Sequence, residues 1–110
     1  MNLLRNLPTH SPDALRDLVQ IQPGRVVSMA LSRSEHCLMT LLAFADGESV
    51  SEEQYFGDTF YYVIEGVMPI SLEGRQVFID TGECFMVPAG IPHAVGGKDP
   101  FKLLQITVQS

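Results

Sequence analysis

The stretch from Gly82 to His93 constrains the fold of this chain more than any other part of the sequence. It reads Gly-Glu-Cys-Phe-Met-Val-Pro-Ala-Gly-Ile-Pro-His: a turn glycine, a short apolar strand, and a loop containing two prolines and a further glycine. Proline fixes φ, and glycine allows backbone angles that other residues avoid. A loop stiffened in this way aims the side chain that follows it. His93 is therefore the first candidate for a site residue.

Short apolar segments separated by turn residues run along most of the chain. Segments with strand-like composition fall at 25–32, 37–45, 59–64, 67–72, 76–79, 84–87, 93–95 and 101–108. Short strands with turn signals every 8–12 residues are typical of all-β sandwiches and barrels. The sequence therefore predicts a single all-β domain.

The N-terminal segment differs from this β pattern. Ser11-Pro12 has the form of a helix start, with an N-cap serine followed by proline at the first helical position. Apolar residues then recur on one face up to Val19, which predicts a short helix over about 12–19. We therefore divide the chain into an arm with a short helix over 1–24 and a β-barrel domain over 25–110.

Composition excludes several classes of partner and compartment. The formal charge is −6, from 7 basic and 13 acidic residues, which disfavours nucleic acid and anionic membranes as partners. No apolar run approaches the ~20 residues needed to cross a bilayer, and the N-terminus lacks the features of a signal peptide. The two cysteines, Cys37 and Cys84, lie far apart in apolar surroundings and are expected to be reduced. These features predict a cytoplasmic protein.

Two segments resemble the conserved motifs of the cupin superfamily. Gly82 to His93 resembles the second motif, which has a glycine, five residues, Pro-x-Gly, two residues and a histidine. Gly47 to Gly66 resembles the first motif in length and frame. The resemblance covers roughly residues 25–108. It implies a double-stranded β-helix, a jelly-roll-like barrel of two facing antiparallel sheets with a central pocket.

The first motif departs from the metal-binding members of that superfamily, in which it supplies two histidines and a glutamate. The matching places here hold Glu53, Tyr55 and Thr59, and only the histidine of the second motif is retained, as His93. A phenol and a hydroxyl are poor ligands for a transition metal beside one imidazole and one carboxylate. We therefore expect a degenerate or absent metal site and no other cofactor. If a divalent metal does bind, these four residues would hold it.

The resemblance also implies what surrounds this site. It places Glu53, Tyr55, Thr59 and His93 in one apolar cup that binds a small molecule. Further residues expected to line the pocket with Thr59 are Tyr62, Phe85 and Met86.

Three functions remain open at this point. The first is binding of a small molecule in the barrel pocket. The second is an enzyme of the isomerase or epimerase type, in which Glu53 and His93 exchange protons with help from Tyr55, either without a metal or with a weakly held one. The third is a structural homodimer with a vestigial pocket, in which Leu3, Leu4 and Leu7 would pack across the interface.

Overall fold

The computed structural model describes residues 3–110, except for the side chains of residues 52 and 53. Nine strands account for most of this range: β1 (Val26–Arg33), β2 (Cys37–Phe44), β3 (Ser49–Glu53), β4 (Asp58–Glu65), β5 (Val67–Leu72), β6 (Arg75–Asp80), β7 (Cys84–Val87), β8 (His93–Gly96) and β9 (Phe101–Val108). No helix in the described range is long and apolar enough to cross a membrane.

The strands form two antiparallel sheets that face each other. One sheet has five strands in the order β1-β2-β9-β4-β7, and the other has four in the order β3-β8-β5-β6. Buried residues of both sheets share one core cluster, for example Val63 and Leu103 from the five-stranded sheet and Ile70 and Val95 from the four-stranded sheet. The predicted all-β architecture, a double-stranded β-helix, is confirmed.

One end of the space between the sheets is closed by aromatic packing. The rings of Phe44 and Phe101 stack with their centroids 4.5 Å apart and an interplanar angle of 16°. Both side chains are buried, at 1% and 0% relative exposure. Because stacked aromatic rings fill volume densely, this pair forms a packed apolar layer at this end of the space between the sheets.

The predicted helix over 12–19 is wrong. Only a three-residue 3₁₀ turn, Leu15–Asp17, forms there. The turn follows Ala14, which is extended and supplies no side-chain cap, so Ser11 does not act as the N-cap. A helix this short is unstable on its own, because the first turn fixes several residues for one hydrogen bond. The segment is instead stabilised by packing Leu15 and Val19 against the sheet.

The strand β3 was not predicted, because its sequence is polar and lacks the alternation of a half-buried strand. It lies at one edge of the four-stranded sheet and pairs with β8. The register places Ser49 opposite Gly96 and Glu53 opposite His93. Pairing with a neighbouring strand, rather than the composition of the segment, makes it a strand.

An irregularity in β1 decides which of its side chains face the four-stranded sheet. Ala30 pairs with Thr40, whereas Arg33 pairs with Leu38, so the β1 ladder contains one extra residue between them. An inserted residue reverses the inward and outward alternation beyond it. Arg33 therefore lies on the same inner face as Ala30, and not on the outer face with Leu31.

The N-terminal arm packs on the outer face of the five-stranded sheet. Its backbone and side chains bond to the edge strand β1: Arg5 N–H donates to the Leu31 carbonyl, and the Asn6 amide donates to the Ala30 carbonyl. Leu7 packs against the buried cluster on this face. The arm thus covers an edge that would otherwise present unpaired backbone groups.

The arm also bears on the predicted homodimer. Leu7 contacts its own chain, whereas Leu3 and Leu4 are 78% and 51% exposed. These two leucines are the part of the expected interface that the fold leaves accessible. The homodimer itself stays a prediction.

One buried cation ties the 3₁₀ turn to the barrel. Lys102 is 6% exposed, and its Nζ donates to the Arg16 carbonyl at 2.6 Å and lies 3.6 Å from a Glu65 carboxylate oxygen. A buried ammonium group needs such partners, because desolvation without them is costly.

We expect Lys102→Met to lower the free energy of unfolding by about 1–3 kcal/mol, because it leaves the Arg16 carbonyl without its donor. The measurement is urea denaturation followed by circular dichroism. Lys98→Met is the matched control, since Lys98 is exposed, and it should change stability by less than about 0.5 kcal/mol. Equal stability of the two variants would show that the tie contributes nothing.

Candidate functional site

Hydrogen bonds join the loop between β7 and β8 to the segment that leads into β4 and to the first residue of β4. Gly90 has φ +81°, and its N–H donates to the Tyr55 carbonyl at 2.9 Å. The neighbouring Ala89 N–H donates to a carboxylate oxygen of Asp58, also at 2.9 Å. The positive φ explains the glycine, because other residues are strained there. The two motifs identified in the sequence therefore meet at these bonds.

His93 begins β8 and is buried, with 2% relative exposure. Its Nδ1 lies 2.9 Å from the Ile91 carbonyl, and its Nε2 lies 2.7 Å from the Tyr61 hydroxyl. A carbonyl only accepts, so Nδ1 carries a proton and donates to Ile91. In the neutral imidazole, Nε2 then accepts the Tyr61 O–H. Both ring nitrogens are engaged within the protein.

Two tyrosine rings flank this imidazole. The centroids of Tyr55 and Tyr61 each lie 5.8 Å from that of His93, at interplanar angles of 54° and 75°. Tilted and edge-on contacts of this kind favour the positive edge of one ring against the face of another. The arrangement fixes the plane of the imidazole in addition to its hydrogen bonds.

The structure brings some of the predicted site residues together. Tyr55 is half-buried, stands beside His93 and lines the cavity between the sheets. The backbone of Glu53 pairs with that of His93, but the Glu53 side chain lies outside the described part of the structure. Thr59 is 1% exposed, and its hydroxyl lies 3.1 Å from the hydroxyl of Thr107.

Three predicted pocket residues take other positions. The register pairs Tyr61 with Phe85 and places Tyr62 opposite Cys84. Because Tyr61 faces the cavity, alternation puts Tyr62 and Met86 on the outer face, where Met86 is 53% exposed. This corrects the inward orientation expected for Tyr62 and Met86. Phe85 is on the inner face but packs against the core cluster and does not line the cavity.

Those expected metal ligands whose side chains the structure describes do not fit a transition-metal site. Nε2 of His93 is bonded to Tyr61, and the Thr59 hydroxyl is bonded to Thr107. Elsewhere in the described range, no three His, Cys, Asp or Glu side chains are grouped to share an ion. A metal would have to displace the Tyr61–His93 bond and recruit a phenol as ligand.

A cavity of about 350 Å³ lies between the sheets. Its described lining combines apolar and neutral polar side chains with one cation. The lining residues are Ser28, Arg33, Leu38, Thr40, Leu42, Phe44, Val50, Tyr55, Tyr61, Val95, Leu103, Gln105 and Thr107. A volume of this size is within the range of small-molecule sites.

Sequence reasoning missed most of the polar residues in this lining. Thr40 is the one polar residue in the apolar segment 37–45, and that interruption is the available signal, whereas Gln105 shares its strand with Lys102 and Thr107 and does not stand out. The sequence does not single out Tyr61, because the run Phe-Tyr-Tyr-Val-Ile contains no charged or small polar residue that would show which side chains face inward. Arg33 faces inward only because of the bulge in β1, and no sequence pattern predicts that bulge.

Comparison with known proteins shows which family the chain resembles in sequence and structure. The model of the cupin domain family matches residues 40–107 of the chain. The structure superimposes with a TM-score of 0.94 on a cupin superfamily protein from Desulfitobacterium hafniense, which is 43% identical and aligns over 97% of this chain and 98% of its own. No curated protein matches the sequence.

Two further structures agree in fold. A cupin 2 conserved barrel domain protein from Leptotrichia buccalis is 33% identical with a TM-score of 0.83, over 86% of this chain and 46% of its own. A conserved protein of unknown function from Streptococcus pyogenes has a TM-score of 0.94 at 22% identity, over 100% and 96% of the two chains. On the family match and the 43% identity, this chain belongs to the cupin family.

Proposed function

We propose that this cupin binds a small molecule in the cavity between its sheets, without a tightly held transition metal. The observation that carries the proposal is the state of two polar groups in the cavity wall. The side chains of Thr40 and Gln105 line the cavity and make no hydrogen bond to any described residue. Both side chains are half-buried, so their polar atoms reach the open space of the cavity and can bond to a ligand there.

The composition of the cavity lining supports the same function. Apolar side chains such as Leu42, Phe44 and Leu103 form one part of the wall, and neutral polar side chains form another. Binding sites for small molecules combine apolar surface for affinity with a few placed polar groups for orientation.

The absence of a metal is the second part of the proposal. The hydrogen bond from Tyr61 occupies the imidazole nitrogen that would face a metal, and Thr59 is bonded to Thr107. Replacing these bonds with coordination by one imidazole and one carboxylate, from His93 and Glu53, beside a phenol and a hydroxyl would give a weak site.

We expect protein purified without added metal to contain well below one Fe, Mn, Ni or Zn per chain, as measured by inductively coupled plasma mass spectrometry. His93→Gln is the control, since residual metal that does not depend on His93 would be adventitious. One tightly held ion per chain in the wild type, lost in His93→Gln, would contradict the metal-free proposal.

A second candidate function is metal-independent proton transfer of the isomerase or epimerase type. The bond of 2.7 Å between the Tyr61 hydroxyl and His93 Nε2 favours it, because Tyr61 lines the cavity while His93 lies behind it. A proton taken from a bound carbon acid by the Tyr61 oxygen could be matched by transfer of the tyrosine proton to Nε2. The ligand would then be a carbanion and His93 an imidazolium, and the reverse steps would return the proton.

This relay assigns the predicted acid–base role differently from the sequence. Tyr61 is the group at the cavity, and His93 acts through it. The parts expected for Glu53 and Tyr55 stay proposals: the backbone of Glu53 lies opposite His93, and the Tyr55 ring lies beside it.

We expect Tyr61→Phe to slow exchange of carbon-bound protons for deuterium by about a hundredfold or more, the usual contribution of a general acid or base. The measurement is proton NMR of 2-oxo acids and aldoses incubated with the protein in D₂O. Tyr62→Phe is the matched control, because Tyr62 lies on the outer face of the same strand. If the wild type exchanges no compound in the panel, the proton-transfer candidate is wrong and the binding proposal stands.

The same pair of variants tests the hydrogen bond itself. Tyr61→Phe leaves buried Nε2 without this partner and should lower the free energy of unfolding by about 1–3 kcal/mol. Tyr62→Phe should change it by less than about 0.5 kcal/mol. Urea denaturation measures both values, and equal values would show that the Tyr61–His93 bond does not stabilise the protein.

A further inference from the structure

The polar side chains of the cavity are arranged in layers across the five-stranded sheet. Thr40 pairs with Gln105, and Gln105 pairs with Tyr61, so these three form one cross-strand row. We call this row the polar band. Its members point the same way from neighbouring strands and line the cavity together.

The row on the core side of the polar band is apolar. Leu42 pairs with Leu103, and Leu103 pairs with Val63. Beyond them lies the stacked pair Phe44 and Phe101. We call this layer the floor, and it offers apolar contact only.

The row on the other side of the polar band contains the cation. Arg33 pairs with Leu38, which pairs with Thr107. Rows two residues apart are separated by about 6.5–7 Å along the strands, so Arg33 stands about one row from the polar band. Arg33 is exposed and lines the cavity, which places the guanidinium at the mouth.

The guanidinium of Arg33 has no protein partner in the described part of the chain. No salt bridge or side-chain hydrogen bond involves it. Two described carboxylates on neighbouring segments form no ion pair with it: Asp58 accepts the Ala89 N–H, and the Glu35 side chain is exposed. Among described residues, no carboxylate lines the cavity. An inward arginine left unpaired in a chain of net charge −6 is available to an anionic ligand.

From this layering we infer that the cavity takes a small organic monocarboxylate that carries a hydroxyl or carbonyl group next to a short apolar chain. The inference rests on the proposed binding function and names its ligand class. The carboxylate bonds to Arg33 at the mouth, the hydroxyl or carbonyl bonds to the polar band, and the apolar chain lies on the floor.

The charge and the volume both limit the ligand. Among the described lining residues Arg33 is the one charged side chain and balances one negative charge, whereas a phosphate at neutral pH carries about −1.5 to −2 and would leave charge uncompensated beside an apolar wall. A cavity of about 350 Å³ holds the volume of roughly ten to twelve water molecules. A carboxylic acid of four to six carbons fits both limits.

The experiment is isothermal titration calorimetry with four probes at low and high salt. The probes are 2-hydroxybutanoate, butanoate, butane-1,2-diol and inorganic phosphate. The diol keeps the hydroxyl and the carbon chain of 2-hydroxybutanoate but lacks the charge, and butanoate keeps the charge but lacks the hydroxyl. We expect 2-hydroxybutanoate to bind most tightly, and at least about tenfold more tightly than the diol, because a charge-assisted bond to arginine is lost in the diol.

Variants separate the contacts. Arg33→Gln should remove the preference for 2-hydroxybutanoate over the diol, together with its salt dependence, while Arg25→Gln, an exposed arginine outside the cavity lining, should leave both unchanged. Gln105→Met and Thr40→Val should weaken 2-hydroxybutanoate to the level of butanoate. Thermal denaturation of each variant checks that it is folded.

Two outcomes overturn the inference and are distinguishable from each other. If the diol binds as tightly as 2-hydroxybutanoate, if Arg33→Gln has no effect, or if phosphate binds best, the cavity binds small molecules but the monocarboxylate class is wrong. If none of the probes binds and native mass spectrometry finds no co-purifying compound, the binding function fails and the inference fails with it.

Discussion

The hydrogen bond between Tyr61 and His93 joins the two sheets at the point where the cavity begins. Tyr61 belongs to β4 of the five-stranded sheet, and His93 belongs to β8 of the four-stranded sheet. Both side chains are about 2% exposed, so the bond forms away from competing water. A buried bond between neutral partners contributes only about 1 kcal/mol net, but leaving either partner alone costs more. The bond therefore determines orientation more than it determines stability.

The consequences of this bond extend through the site. With Nδ1 on the Ile91 carbonyl and Nε2 on Tyr61, the imidazole is no longer free to act as a ligand. The retained histidine of the second motif is thus held within the protein, and the Tyr61 side chain lies between it and the cavity. The polar groups that remain available to a ligand belong to other strands, chiefly Thr40 and Gln105.

The sequence predicts the fold well and the site incompletely, and the reasons differ. Strand positions follow from apolar segments between turn residues, and the motif from Gly82 to His93 follows from residues whose backbone angles are restricted. The prediction of a helix over 12–19 was wrong because capping signals are weak compared with the packing of a few apolar side chains on a sheet. The strand β3 is stabilised by its partner β8, and a polar edge strand carries no periodic signal of its own.

Whether a strand residue belongs to the site depends on which face of the sheet its side chain occupies. The sequence indicates that face only where polar and apolar residues alternate. In the run from Phe60 to Ile64 no such alternation exists, so Tyr62 was expected inside and Tyr61 was overlooked. Thr40 is the one polar residue in the apolar segment 37–45, which is a clearer indication of a pocket wall, whereas Gln105 shares its strand with Lys102 and Thr107.

Arg33 illustrates the limit of pattern reasoning most clearly. Its phase is set by one extra residue in β1, and without that bulge the guanidinium would lie on the outer face beside Leu31, under the N-terminal arm. A cation is difficult to bury, so a fold that needs one near its cavity must place it where the side chain still reaches water. The hairpin end of an edge strand meets that condition, and a bulge there turns the side chain inward without changing the rest of the sheet. The floor of the cavity can therefore stay apolar and tightly packed while the mouth carries the charge.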